Sequence, residues 1–181
     1  MPTYFHVDRA NRLREGFSIE LYPHSSSTWL AGGLSGHGQR YLNGEFQFKF
    51  VNLQGEDRYA VNQDTSLELL WELLRLNEYP QAPSRLQSVF GWERLEDARQ
   101  FAEAGQQGTI WEIETEQPGF RADMSLLKSL PRTGDALQLA RIYWAQHDAY
   151  DRSQLPPEFG PPVWEHLLTT PVRVVRAVPT T

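Results

Sequence analysis

The segment PPVWEHLLTTPVRVV constrains the chain most, because it writes two apolar strands around a proline turn and sets a carboxylate, Glu165, on the first of them. Burying a carboxylate without a partner costs on the order of 3 to 5 kcal/mol, so a strand that carries one usually has a use for it. Glu165 is therefore the leading candidate for a functional side chain.

A chain of 181 residues, 40% hydrophobic and 12% aromatic, can bury a sizeable core, and no linker rich in Pro, Gly or Ser divides it. One domain over residues 1–181 is expected. Cysteine is absent, which excludes a disulfide framework, a thiolate zinc site and a cysteine nucleophile. The amino-terminal MPTYFHVDRANRLREG has no apolar run behind a basic segment, and no stretch of about 18 apolar residues occurs. The expectation is a protein with no membrane span, cytoplasmic or delivered into a target cell as an effector by a dedicated secretion apparatus. A net charge of −6 argues against a protein that coats nucleic acid by neutralising phosphates. Apart from Lys49 and Lys128, every cation other than histidine is an arginine, the residue that makes two-pronged contacts with phosphate and carboxylate.

The periodicities predict strands at TYFHVD, FSIELY and EFQFKFV, with Phe46, Phe48 and Phe50 on one face, and a short helix at ANRLRE. The glycine- and serine-rich stretch from Pro23 to Gly44 reads as a functional loop. Thr65 and Glu68 read as a capping box that opens a helix with Leu67, Leu70, Trp71 and Leu74 on its apolar stripe. LQSVFGW, LEDARQFAEAG and TIWEIET form a strand, helix, strand unit. An irregular turn at PGFRADM, a helical patch at SLLKSL and a helix around ALQLARIYWAQ lead to the closing strands WEHLL and VRVVRAV.

That order, together with YFHVDR, SVFGWERLEDARQFAE with GTIWEIET, and VWEHLL, resembles the ADP-ribosyltransferase family. The resemblance implies an α+β fold with a split mixed β-sheet and helices packed on the outside, with NAD as substrate and no metal. It implies that Glu165 holds the NAD ribose, with Asp123 as a reserve catalytic carboxylate, since an antibiotic-modifying branch keeps an acid at that place. His6 or Arg9 would contact ribose or phosphate, Ser88 would line the nicotinamide pocket, and Phe90 or Tyr4 would stack on nicotinamide. Breaking the bond between nicotinamide and ribose passes through an oxocarbenium-like state, so a fixed carboxylate contributes by stabilising positive charge.

The activity implied is mono-ADP-ribosyl transfer to a macromolecular acceptor, a protein hydroxyl before a nucleic acid, by a bacterial effector or toxin. Val163 stands where arginine-modifying toxins carry a second glutamate, which favours a hydroxyl acceptor over a guanidinium. Two other readings use the same residues: an NAD glycohydrolase, in which water is the acceptor, and a non-catalytic binding module on the same fold. Each residue also has a structural reading. His6 suits a satisfied strand histidine, Arg9 a solvated or helix-start cation, Ser88 and Phe90 core positions, and Asp123 a turn or helix N-cap. GGLSGHG lacks the GK[ST] of a phosphate loop, and His24, His37, His147 and His166 lack zinc-site spacing. HDAYDRS lacks the glycine and final glutamate of a calcium loop, and no G-x-S-x-G elbow occurs.

Overall fold

The computed structural model describes residues 1–23, 32–42, 47–51, 54–55, 57–61, 63–104, 108–128, 133–146 and 152–179. The fold is α+β. Strand β1 (Thr3–Asp8) pairs with β6 (Thr109–Glu114), which pairs with β9 (Val172–Ala177), and β9 pairs with the short β2 (Ser18–Ile19). A second sheet has β8 (Trp164–Leu168) between β5 (Val89–Gly91) and β7 (Phe120–Asp123). Strands β3 (Gln47–Val51) and β4 (Asp57–Val61) form a separate hairpin. Every ladder among the described residues is antiparallel, which corrects the expectation of a mixed sheet. The strand, helix, strand unit does not close a parallel pair because its two strands belong to different sheets, with β1 between them.

The two larger sheets meet where Phe5 and Trp92 exchange both backbone hydrogen bonds, at 2.8 and 2.9 Å. Strand alternation then sorts the side chains of the three-stranded sheet. Val89 and Leu168 turn toward the four-stranded sheet and pack with Tyr4, Ile113, Val172 and Val174. Leu167 and Ala122 turn the other way, against Leu67, Trp71 and Leu74 of α2 (Gln63–Glu78) and Leu139, Ala140 and Tyr143 of α4 (Thr133–Trp144). The predicted apolar stripe of α2 is thus the one it buries. Helix α3 (Leu95–Ala104) places Ala98 and Ala102 against Val7, Trp92 and Ile110, small residues that let the helix lie close to β1 and β6.

Several local expectations give way to tertiary structure. ANRLRE forms no helix, because the Asp8 carboxylate accepts from the backbone N–H groups of Ala10, Arg12 and Leu13 and holds the chain in a loop. FSIELY contributes only two strand residues. Helix α2 begins at Gln63, two residues before Thr65, so Thr65 lies inside it and Glu68 is used elsewhere. FRAD is a strand, stabilised by pairing with β8, where an irregular turn was expected. SLLKSL contributes only the end of a 3-10 turn at Met124–Leu126, and residues 129–130 lie outside the described residues.

The stretch from Pro23 to Gly44 contains helix α1 (Gly36–Leu42), while residues 24–31, 43 and 44 lie outside the described residues. Phe46 lies outside them as well. Helix α1 lies against the 3-10 turn at Arg85–Gln87, and the approach is close enough that a Cβ on Gly38 would stand 2.1 Å from the Leu86 carbonyl oxygen. Gly36, one turn-edge away, would meet nothing within 4 Å. Gly38→Ala is therefore expected to lower the unfolding free energy by about 1 to 3 kcal/mol, while Gly36→Ala leaves it within about 0.5 kcal/mol of the parent. Urea midpoints of the two proteins check this contrast.

Candidate functional site

Glu165 shares the helical face of β8 with Leu167, and its side chain is enclosed there, with the residue 1% exposed. The partner that makes this burial tolerable is Arg85, from the 3-10 turn that leads into β5, itself 3% exposed. Its Nη1 donates to Glu165 Oε1 and to the Tyr143 hydroxyl, and Tyr143 in turn donates to Glu165 Oε1 at 2.8 Å. The other edge of the guanidinium forms a fork with Glu68 of α2, Nε to Oε2 and Nη2 to Oε1, both at 2.9 Å. Parallel two-pronged contacts of this kind are the strong ones available to arginine. One guanidinium thus joins α2, α4 and β8.

His37 of α1 connects this buried group to the surface. Its Nε2 lies 3.2 Å from Glu68 Oε1, and its side chain is 24% exposed. The His37 ring stands 4.6 Å from that of Tyr41 and 4.7 Å from that of Phe90. The Phe90 ring in turn faces the Arg85 guanidinium at 4.7 Å, a cation–π contact. One guanidinium against two carboxylates leaves the cluster with a net charge of −1 when His37 is neutral.

The remaining candidates fall into two groups. His6 belongs with the cluster, since its Nδ1 lies 2.8 Å from the Phe90 carbonyl oxygen. A carbonyl can only accept, so Nδ1 carries the proton and Nε2 of the neutral ring keeps its lone pair. Burial lowers the His6 pKa, opposed by that hydrogen bond and by Asp8, so the neutral ring is favoured at neutral pH. Arg9, exposed at the end of β1, lies over the Phe101 ring at 4.4 Å. Phe90, His6 and Glu165 are thereby brought into one neighbourhood, with Arg85 between Phe90 and Glu165.

Tyr4, Ser88 and Asp123 are engaged elsewhere. Tyr4 lies between the two larger sheets, packed with Val89 and Leu168, with its ring 5.0 Å from His166 and its hydroxyl accepting from the Gly119 N–H. Ser88, 1% exposed, donates to the Ser84 carbonyl at 2.7 Å. Asp123 accepts from the backbone N–H groups of Ser125 and Val163 and from Arg152, so it serves as cap and anchor at the end of β7. Of the two carboxylates singled out in the sequence, Glu165 is the one linked to Phe90 and Glu68 through Arg85. A groove of about 310 Å³ lined by Tyr79, Pro80, Phe120 and Trp144 shares no side chain with the cluster.

Arg85, Glu68, Tyr143 and His37 were not expected at the site. Glu68 was assigned to a local cap, and Arg85 follows a proline-rich break that reads as a connection. The available signal was that LQSVFGW, a buried segment, begins directly after an arginine whose nearest carboxylates in sequence lie outside its local reach. Among the described residues no group of three or more His, Asp or Glu side chains is arranged to hold a metal ion. No described helix is long and apolar enough to cross a membrane.

The cluster should dominate the acid stability of the protein. Burial pushes the Glu68 carboxyl up, but Arg85 and His37 outweigh it and hold the group at about 2, against 4.5 when free. A folded-state pKa below the unfolded one contributes stability that is complete above the unfolded value and lost as pH falls through the folded one. Unfolding free energy should therefore decline from pH 4.5 to about 2 by about 3 kcal/mol from this group, and Glu68→Gln should remove that part of the pH dependence. Denaturant titrations of both proteins across that interval measure it. Arg85→Ala should cost about 3 to 5 kcal/mol at neutral pH by stranding two buried carboxylates, as read from the same denaturant midpoint.

Comparison with known proteins adds a family. No curated protein matches the chain. Residues 4–159, which include Glu68, Arg85 and Tyr143 and stop short of β8, match the family model described as a protein of unknown function (DUF2441). That match spans most of the sequence, and the chain belongs to this family.

Proposed function

We propose that the protein uses NAD as a donor in mono-ADP-ribosyl transfer to a macromolecular acceptor. The observation that carries this reading is the convergence of three sequence-distant segments. Glu165 on β8, Phe90 on the adjacent β5 and His6 on β1 are joined through the His6 contact to the Phe90 carbonyl and through Arg85. These are the segments that carry the resemblance to ADP-ribosyltransferases, and the α+β fold with two larger sheets bridged at Phe5 and Trp92 is compatible with it.

The electrostatics suit the donor. NAD presents a cationic nicotinamide ring, and further positive charge develops on the ribose as the bond between them breaks. A buried cluster with a net charge of −1, walled by the rings of Phe90, His37 and Tyr41, favours a flat cationic group near its surface. Arg85 weakens the field of Glu165 but fixes its position, so the carboxylate needs no reorganisation as charge appears. The neutral His6 keeps an acceptor at Nε2 that a ribose hydroxyl can donate to. Transfer to a protein hydroxyl, with the modified protein as an effector's target, remains the preferred form of the reaction. The hydrolase alternative differs only in the acceptor.

The test is nicotinamide release from NAD by the purified protein with cell lysate as the source of acceptor. Glu165→Gln should reduce turnover by roughly 100- to 1000-fold, the scale of losing one preorganised charged group, whereas Asp123→Asn should not approach that loss once stability is matched. Because Glu165 also holds Arg85, both variants are assayed well below their unfolding midpoints. Full turnover by the Glu165→Gln protein would overturn its catalytic role.

A further inference from the structure

His37 reaches from the surface into the buried cluster, and its position is fixed from two sides. The chain entering α1 is pinned to the Arg85–Gln87 turn: the Ser35 N–H and hydroxyl both donate to the Leu86 carbonyl, at 3.0 and 3.1 Å, and the Gly38 N–H donates to the Ser35 hydroxyl at 3.2 Å. The ring itself is bounded by those of Tyr41 and Phe90 and aims Nε2 at Glu68 Oε1. A carboxylate ionised in its fork with Arg85 can only accept, so Nε2 of the neutral imidazole holds the proton and Nδ1 keeps the lone pair. Among the described residues nothing hydrogen-bonds to Nδ1, and the side chain is 24% exposed. An imidazole oriented by a buried carboxylate, with a lone pair left on its other nitrogen, is equipped to take a proton from a hydroxyl group.

Transfer to a hydroxyl needs such a group. Glu165 is enclosed, its Oε1 is shared by Arg85 and Tyr143, and Val163 leaves no acid two residues before it. We propose that His37, held by Glu68, is the general base that deprotonates the acceptor hydroxyl as it attacks the ribose, an assignment that rests on the transferase reading. The bond from the acceptor oxygen to the anomeric carbon forms while the bond from that carbon to the nicotinamide nitrogen breaks, its electron pair neutralising the cationic ring. The acceptor proton passes to His37 Nδ1 and from there to solvent. The Phe90 ring, on which that reading stacks nicotinamide, stands 4.7 Å from the His37 ring, so base and donor share one neighbourhood. Glu68 acts through His37 as a positioning residue. Because Arg85 holds both Glu68 and Glu165, one guanidinium sets the base and the ribose carboxylate relative to each other.

Nicotinamide release from NAD, with cell lysate as the source of acceptor, is compared for the parent and His37→Gln, whose amide can still donate to Glu68, with each protein well below its unfolding midpoint. The kcat is expected to fall by roughly 100- to 10,000-fold, with KM for NAD changed by less than about 3-fold. Azide supplies a readout that a structural role would not move. It attacks with no proton to lose, so added azide should restore release by His37→Gln toward the parent rate and leave Glu165→Gln slow. In the full chain without NAD, the ring nitrogen NMR signals of His37, identified by their loss in His37→Gln, should place the proton of the neutral ring on Nε2. A proton on Nδ1 overturns the base. Near-parent turnover by His37→Gln keeps the transferase and rejects the base, as does a slow variant that azide fails to accelerate. No nicotinamide release by the parent rejects the transferase reading, and the base falls with it.

Discussion

The guanidinium of Arg85 is the interaction on which the rest of the architecture depends. It lies where α2, α4 and β8 converge, and each of those elements supplies one of its partners: Glu68, Tyr143 and Glu165. Hydrophobic contacts between the two helices and the three-stranded sheet give the layer its cohesion but little uniqueness, since apolar surfaces tolerate sliding. A planar cation with directional donors does not tolerate it. A shift of α2 along the sheet would break the fork to Glu68 before it cost much apolar area, and that carboxylate would be left in a medium that cannot solvate it.

The same cation makes Glu165 a different kind of residue from a solvent-facing carboxylate. Its charge is held in place and partly offset, and its Oε1 is shared between Arg85 and Tyr143. Burial also raises the Tyr143 pKa, against the opposing influence of Arg85 and with further help from Glu165, so the phenol keeps its proton at neutral pH and donates to the carboxylate. The candidate chemistry therefore draws on a group whose geometry is fixed by the fold itself, which is the condition under which electrostatic stabilisation costs no rearrangement.

The legible parts of the sequence were those governed by local periodicity. The α2 stripe, the inward alanines of α3, the strand at TYFHVD and the burial of the WEHLL strand all follow from one element meeting an apolar neighbour. Glu165 stood out because a charge interrupts such a pattern. Its partner did not, because Arg85 lies 80 residues away and only the fold brings the two together. Glu68 was misassigned for a related reason: a local cap and a tertiary ion pair compete for the same carboxylate, and the bidentate arginine contact is the stronger. Likewise Asp8 diverted ANRLRE from a helix by satisfying three loop amides that a helix would otherwise have used. Asp123 and Ser88 illustrate the reverse, being chemically suggestive residues whose hydrogen bonds are spent on shaping the chain.

Strands β8 and β9 follow one another across only three residues, yet they belong to different sheets and share no ladder. Consecutive strands commonly zip together, so that loosening one loosens the next. Here the backbone crosses from one hydrogen-bonded unit to the other like a strap between two boards, and the boards are joined by the bridge between Phe5 and Trp92 and by the packing of Val89 and Leu168 against Tyr4, Ile113, Val172 and Val174. Opening one ladder therefore breaks no hydrogen bond of the other, and what couples the two is the packing of side chains between them. The charged cluster rides on the smaller board together with its helices. One tie from there to the larger sheet is the hydrogen bond that the His6 ring donates to the Phe90 carbonyl.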